Sequence, residues 1–210
     1  NMIKTFSPQK NQATDTSGHN DTVTLKKLAL FLIIAIIPAV ILGVLFIHYL
    51  HEVFASARAA ALFLIITGFL LFFSDRVKNA GRHEKDINIT DSILIGLAQS
   101  LALLPGISRS GATITTGIFL KLNRTTAAKF SFLLSLPTVC GAVIFEARYF
   151  EQIPSAEIWL YVVGAICAAI AGIISLKLFF LIIREARLKF FAYYCWLLGT
   201  FTLLVKSSFF

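Results

Sequence analysis

The chain has few of the residues that build disulfide-rich or metal-binding domains. It contains three cysteines in 210 residues, Cys140, Cys167 and Cys195, and each lies in an apolar run. Their spacing fits neither a metal site nor a disulfide framework. We therefore expect three small residues that pack in a core or face lipid.

Acidic residues are also scarce, with 11 against 19 basic residues and a formal net charge of +8. The basic residues cluster in loops beside apolar runs, as the cytoplasmic loops of membrane proteins do. The charge therefore indicates a membrane topology, and we do not expect nucleic acid as a partner. The glutamates fall in predicted loops or at span ends; they are Glu52, Glu84, Glu146, Glu151, Glu157 and Glu185.

Short alternating segments typical of a membrane β-barrel are missing. Instead the chain is 57% hydrophobic, above the roughly 45–50% of soluble domains, and several apolar runs reach the about 20 residues that span a bilayer. We predict an all-α polytopic membrane protein whose partner is the bilayer. The predicted full spans are Leu28–Leu50, Ala57–Phe73, Thr126–Ala147, Glu157–Ile183 and Phe190–Val205.

Residues 1–24 are polar and contain no apolar stretch that could serve as a signal peptide. We expect a loop or disordered leader there, followed by a single transmembrane domain over residues 25–210.

The basic residues predict an unusual element over residues 92–120. Lys26 and Lys27 place the start of the first span inside, which puts the loop at 75–91 inside as well. The next full span also begins inside, near Lys121 and Arg124. Residues 92–120 must therefore enter and leave at one face. Each arm is too short to cross the bilayer alone, so we predict a re-entrant helix–loop–helix.

The predicted tip, Pro105 to Gly111, places an arginine between two serines within apolar sequence. A guanidinium at membrane depth is costly and suggests an anionic ligand, which its planar fork can grip through two oxygens. We expect Pro105 and Gly106 to end the first arm and Ser110 to cap the second, whose free amides would seat a phosphate.

Arg109 and Ser108 are the predicted catalytic residues, and Ser110, Gly111, Thr113 and Gln99 the predicted substrate-binding residues. The tip should face a polar pocket, because irregular backbone at that depth is tolerated only there or inside protein. The alternative is that Arg109 snorkels or pairs with a structural carboxylate. No carboxylate or histidine lies within the arms, so a catalytic base is not evident.

The stretch from Gly96 to Thr113, GLAQSLALLPGISRSGAT, closely resembles the signature of bacterial undecaprenyl-diphosphate phosphatases, the bacitracin-resistance proteins. Two further segments are similar to that family: residues 130–137 with Gly141 and Ala142, and residues 37–43. The resemblance extends over about residues 25–206.

The resemblance implies an inverted-repeat helical bundle with two re-entrant hairpins. It implies hydrolysis of undecaprenyl diphosphate to undecaprenyl phosphate and inorganic phosphate, which recycles the lipid carrier for peptidoglycan synthesis. Arg109 would then bind the diphosphate of a polyprenyl lipid. The protein would lie in the bacterial inner membrane with its site facing the periplasm. The resemblance also implies a divalent cation, Mg²⁺ or Ca²⁺, for which no ligands can be assigned.

The family's first hairpin carries glutamates, a histidine and a serine, in a pattern that residues 1–24 do not match. We therefore expect a catalytically incomplete chain as one alternative, and a lipid or anion transporter or flippase as another. The spaced small residues Gly164, Ala168 and Gly172 favour close helix packing, either within one chain or in a homodimer.

Overall fold

The computed structural model describes residues 15–46, 56–78, 80–149, 154, 158–184 and 188–208. Within them the chain forms helices and no strand. The helices are α1 (Asp15–Leu45), α2 (Ala57–Ser74), α3 (Ile89–Leu101), α4 (Arg109–Phe119), α5 (Arg124–Ala147), α6 (Ile158–Arg184) and α7 (Leu188–Ser208). A single 3₁₀ turn, Glu84–Asp86, precedes α3.

Five of these helices are long and apolar enough to cross a bilayer, which confirms the predicted all-α membrane protein with five full spans. Their spanning stretches are Lys26–Leu45, Ala57–Ser74, Arg124–Ile144, Ile158–Ile183 and Leu188–Val205. Large apolar side chains on all five are exposed, among them Ile33, Leu62, Val143, Ile170 and Leu197. In a membrane protein such faces contact lipid, so the molecule is a multi-pass membrane protein.

The predicted leader is wrong for residues 15–24. Helix α1 begins at Asp15 and runs without interruption into the first span, because a helix can carry polar residues beyond the apolar part that its span requires. Residues 1–14 lie outside the described residues. The proposed division of the chain at residue 25 stays a prediction.

Two pairs of helices pack most closely, and in each pair a glycine permits the approach. Helix α2 lies along α7, where a methyl group on Gly68 would meet the Trp196 ring at 2.5 Å. The Trp196 indole N–H donates to the carbonyl of Ile65 at 3.2 Å. Helix α1 lies along α3, where a methyl group on Gly96 would collide with the backbone of Ala35. The short helix α4 packs against α2, α3 and α5 and is largely buried, whereas α3 keeps an exposed apolar face with Ile93, Leu97 and Leu101.

Arg82 joins the two ends of the α3–α4 hairpin at one face. Its guanidinium binds both carboxylate oxygens of Asp91, in the first turn of α3, at 3.0 and 2.6 Å. It also donates to the carbonyl of Leu120, directly after α4, at 2.8 Å. Its backbone pairs with Lys121 and Asn123. The hairpin therefore enters and leaves on the same side, as predicted, although the inverted symmetry of the bundle stays a prediction.

Candidate anion site at the hairpin tip

The first arm of the hairpin ends earlier than predicted, at Leu101 rather than at Pro105 and Gly106. From Ala102 onward the bonds shorten to three-residue turns, with Leu103 donating to Ser100 and Leu104 to Leu101. A residue that precedes proline avoids the helical region, which explains why the helix loosens before Pro105. The irregular tip therefore covers residues 102–108.

Gly106 fixes where the tip packs. Its φ is +96°, a left-handed conformation that glycine adopts without strain. A methyl group added there would also collide with the backbone of Ala60 on α2. The buried hydroxyl of Thr67, two turns further along α2, accepts a hydrogen bond from the Ser108 amide at 3.1 Å and lies 3.3 Å from the carbonyl of Gly106. Helix α2 thus holds the tip from one side.

Ser108, and not Ser110, caps the second arm. Ser108 has extended backbone angles, and its hydroxyl accepts a hydrogen bond from the Gly111 amide at 3.1 Å. Ser110 already lies in the first turn of α4, so the predicted cap was misplaced by two residues. The reason is that the helix starts at Arg109, which places the third amide of the helix at Gly111, within reach of Ser108.

The first turn of α4 has free donors. Among the described residues, the backbone amides of Arg109 and Ser110 have no acceptor, and the Ser110 side chain is exposed. A helix N-terminus with unused amides and its partial positive charge is a favourable seat for an anion. These donors lie where the sequence predicted a phosphate site.

The side chains of Arg109 and Gln99 lie next to each other at the N-terminus of α4. The Nε of Arg109 donates to Oε1 of Gln99 at a long 3.4 Å. Gln99 is 4% exposed, and its Nε2 has no hydrogen-bond partner within the described part of the chain. A buried amide without a partner costs about 1–3 kcal/mol, so it requires an explanation. An oxyanion held by Arg109 would supply the missing acceptor.

Arg109 pairs with no carboxylate in the part of the chain that the structure describes. The ion pairs there join Arg82 to Asp91, Arg124 to Asp75, and Lys129 to Glu84. The alternative in which a structural carboxylate neutralises Arg109 therefore finds no support among these residues. A half-buried guanidinium without a counter-ion is a binding group for an anion from outside the chain.

Thr113 and Gly111 support the tip from inside. The buried hydroxyl of Thr113 contacts the Ser131 hydroxyl at 2.6 Å and the carbonyl of Arg109 at 2.9 Å. The amide of Gly111 is taken by Ser108, and a methyl group at Gly111 would meet the Ser108 side chain at 2.9 Å. Direct contact of these two residues with substrate stays a prediction.

Two residues of the site were not identified from the sequence, Thr67 on α2 and Ser131 on α5. Each is a small hydroxyl residue within a long apolar helix, where such residues commonly bond to their own backbone. The one sequence signal for Ser131 is its place in the segment 130–137, which is similar to the family. The one sequence signal near Thr67 is the neighbouring Gly68, which indicates close packing between helices.

The donors at the tip do not fit a divalent cation. They are amides, a guanidinium and hydroxyls, whereas Mg²⁺ and Ca²⁺ prefer carboxylate and carbonyl oxygens. No three side chains of the histidine, cysteine or acidic type come together among the described residues. The donors of the described tip residues suit an anion better than a cation.

The predicted polar pocket around the tip does not correspond to a described cavity. The cavities described lie at the base of the hairpin and beside α6. At the tip itself, the exposed Ser110 and the half-buried Arg109 mark the side from which a ligand approaches.

Comparison of the sequence with known protein families finds a match that covers the hairpin. The family model described as bacitracin resistance protein BacA matches residues 2–201. The match therefore begins well before residue 25, where the sequence motifs placed its start. It includes the whole hairpin with Gln99 and Arg109.

Relatives named undecaprenyl-diphosphatase match most of the chain. The protein of Syntrophotalea carbinolica is 38% identical over 189 residues, 90% of this chain and 72% of the relative. That of Halothermothrix orenii is 34% identical over 195 residues, 90% of this chain and 75% of the relative. That of Methanothermobacter thermautotrophicus is 41% identical over 170 residues, 80% of this chain and 94% of the relative.

The family model matches nearly the whole chain, including the same-side hairpin that carries Arg109 and Gln99. The chain belongs to the BacA family of bacitracin resistance proteins.

Proposed function

We propose that this protein is an integral membrane phosphatase that hydrolyses undecaprenyl diphosphate to undecaprenyl phosphate and inorganic phosphate. The proposal rests on one observation above the others: an uncompensated Arg109 beside the orphaned amide of Gln99. The name shared by the relatives supplies the substrate and the reaction. In a cell this activity would recycle the lipid carrier for peptidoglycan synthesis and confer bacitracin resistance.

The geometry suggests how the tip acts on the terminal phosphate. Arg109 can hold two of its oxygens, and the amides of Arg109 and Ser110 can donate to the remaining charge. In phosphoryl transfer the charge spreads over the equatorial oxygens in the transition state, and fixed donors stabilise it there. Ser108, held by its bonds to Thr67 and Gly111, keeps one hydroxyl proton to donate to a phosphate oxygen.

Water takes up the phosphoryl group in this reaction, and the lipid phosphate leaves. The described tip residues stabilise charge, and none of them is a carboxylate or histidine that could serve as base. The divalent cation implied by the resemblance is likewise a prediction, since the donors at the tip do not fit one. Chelation with EDTA, followed by addition of Mg²⁺ or Ca²⁺, measures whether turnover requires it.

We extend the proposal to location and assembly. A bacterial inner membrane, with the site opening toward the periplasm, agrees with the basic loops on the other face. A homodimer through α6 is supported by Gly164 and Gly172, since a methyl group on either would meet no described atom within 4 Å. Small residues left uncovered on a spanning helix allow a second helix to approach closely.

A single assay separates the phosphatase from a transporter or flippase. Purified protein in detergent is given undecaprenyl diphosphate labelled in its terminal phosphate, and release of inorganic phosphate is followed. Detergent micelles hold no gradient, so a transporter has nothing to carry across. We expect turnover that saturates with lipid; the absence of release above the rate without protein would contradict the proposal.

A further inference from the structure

Three cavities meet around Glu84 at the base of the hairpin, far from the tip. The largest, about 910 Å³, lies between the loop at 80–85 and the first turn of α5. A second, about 720 Å³, lies between the same loop and the start of the first span. Helix α3, with 13 residues, separates this base from the tip by about 20 Å at 1.5 Å per residue. The three cavities therefore form a region that is separate from the hairpin tip.

The polar cavities carry an excess of positive charge. Lys85 and Lys129 line the largest, Lys27 and Lys85 line the second, and Glu84 is the carboxylate that both share. Lys129 bonds Glu84 at 2.7 Å, whereas Lys27 and Lys85 form no ion pair with a described residue. Three lysines around one glutamate leave a net charge of +2, which favours an anionic ligand.

The N-terminus of helix α5 also lines the largest cavity and contributes positive charge. Arg124 and Thr125, in its first turn, line the largest cavity, and Arg124 is compensated by Asp75 at 2.6 Å. No acidic residue lies in that turn. The partial positive charge of the helix end therefore adds to the charge of the lysines.

The third cavity is apolar and continues from the polar one. It encloses about 300 Å³, and Thr126, Lys129 and Glu84 border both spaces. Its other walls come from α1, α5 and α6; they are Leu28, Phe130, Phe132, Leu133 and Phe180, together with Ile87 from the loop. A cationic pocket that opens into an apolar groove matches a ligand with an anionic head and a hydrocarbon tail.

We infer that this region binds an anionic phospholipid of the surrounding membrane. Its phosphodiester head group lies among Lys27, Lys85 and Lys129, and one acyl chain lies in the groove beside Phe180. The basic loop places this face toward the cytoplasm by the positive-inside rule, where basic pockets between spanning helices bind anionic head groups. The apolar groove favours a lipid over a free phosphate ion, which would gain nothing from it.

Native mass spectrometry of the intact protein in detergent tests this inference. The protein is titrated with phosphatidylglycerol and, separately, with zwitterionic phosphatidylcholine. We expect phosphatidylglycerol to bind more tightly, and the double variant Lys85→Gln/Lys129→Gln to lose most of that preference. Each lysine near a membrane surface changes affinity about fivefold, so the pair should weaken binding about twentyfold or more.

The matched control is Lys78→Gln/Lys121→Gln. Both lysines are exposed on the same face and line none of the described cavities, so this pair should bind like the wild type. An equal loss in both pairs would mean general surface charge and would overturn the inference. Equal binding of the two lipids by the wild type would overturn it as well.

Two further experiments identify the ligand. Leu28→Trp fills the groove and should weaken phosphatidylglycerol binding, whereas Ile33→Trp, on an exposed part of α1, should not. Inorganic phosphate at millimolar concentration should not displace the lipid; displacement would assign the pocket to a free anion. Melting temperatures verify folding, and the single variant Lys85→Gln, which breaks no described ion pair, replaces the double variant if that one unfolds.

Discussion

The pair formed by Arg109 and Gln99 combines two costs that a folded protein normally avoids. A guanidinium without a counter-ion and a buried amide without an acceptor are both unfavourable. They lie within hydrogen-bond reach of each other at the end of a helix. One oxyanion satisfies both groups, which is why the site is better explained by its ligand than by the stability of the fold.

Replacing Gln99 with leucine tests the orphaned amide. A hydrogen bond to a charged group contributes about 1.5–3 kcal/mol, so kcat/KM for lipid diphosphate should fall about tenfold to a hundredfold. The melting temperature should hold or rise, because a buried donor without a partner is removed. A purely structural glutamine would show the opposite, with a lower melting temperature and unchanged kcat/KM.

Ser100→Ala is the matched control for that variant. Ser100 is the next residue on α3 and equally buried, but its hydroxyl already donates to the carbonyl of Gly96 at 2.9 Å. We expect kcat/KM close to wild type. A loss as large as that of Gln99→Leu would indicate disturbance of α3 rather than of the anion seat.

The sequence identifies a charged side chain in the site more readily than its neutral supports. Arg109 is conspicuous because its surroundings are apolar, and Gln99 lies upstream on the first arm of the same hairpin. Thr67 is equally buried at the tip, yet it resembles any hydroxyl that bonds its own helix, as it does with Phe63 at 3.1 Å. Only the packing of α2 against Gly106 reveals its second role.

At the scale of elements, the hairpin is held from two ends. Its tip is fixed by α2 through Gly106 and Thr67. Its base is closed by Arg82, which ties the start of α3 to the end of α4. The hydrogen bonds that Arg82 donates to the Asp91 carboxylate raise the pKa of the Arg82 guanidinium above its ordinary value. Since the pKa of Arg82 is raised, its contribution to stability is complete at neutral pH and is lost when strong alkali deprotonates the guanidinium.

Arg82→Gln tests the closure of the hairpin. Asp91 is almost fully buried, so losing Arg82 leaves its carboxylate unpaired. Breaking a buried pair costs about 3–5 kcal/mol; since Arg82 is one-third exposed, we expect about 2–3 kcal/mol. The free energy of unfolding in detergent measures this cost.

Lys129→Gln provides the comparison, measured without added phospholipid. It breaks the pair with Glu84, in which both side chains are well exposed, and should cost less than about 1 kcal/mol. Equal losses in the two variants would show that Arg82 is an ordinary surface charge.

The element bounds show where sequence patterns succeed and where they do not. The five long spans follow from runs of apolar residues, because bilayer thickness sets their length. The same-side hairpin follows from basic residues at both of its ends. The end of α3 at Leu101 and the cap at Ser108 depend on local hydrogen bonds, which the positions of proline, glycine and serine define only to within a few residues.

At the scale of the whole molecule, five long helices pack around and beside a hairpin of two short helices, whose tip holds the polar groups. Lipid-facing apolar surfaces cover α6, and its glycines remain uncovered. The site and the basic face lie at opposite ends of the hairpin. This arrangement suits a lipid diphosphate whose chain stays in the bilayer while its head group reaches Arg109.

The most direct test of the account is phosphate release by Arg109 variants. Purified wild type, Arg109→Lys and Arg109→Ala are compared on undecaprenyl diphosphate in detergent, with Arg76→Lys as a control on an exposed arginine of the adjoining loop. Removing a fixed donor to transition-state charge costs about a hundredfold to a thousandfold in kcat. We expect at least that loss in Arg109→Ala. Arg109→Lys should restore little, because lysine lacks the planar fork. Wild-type turnover in a folded Arg109→Ala variant would contradict the assignment of the hairpin tip as the site of reaction.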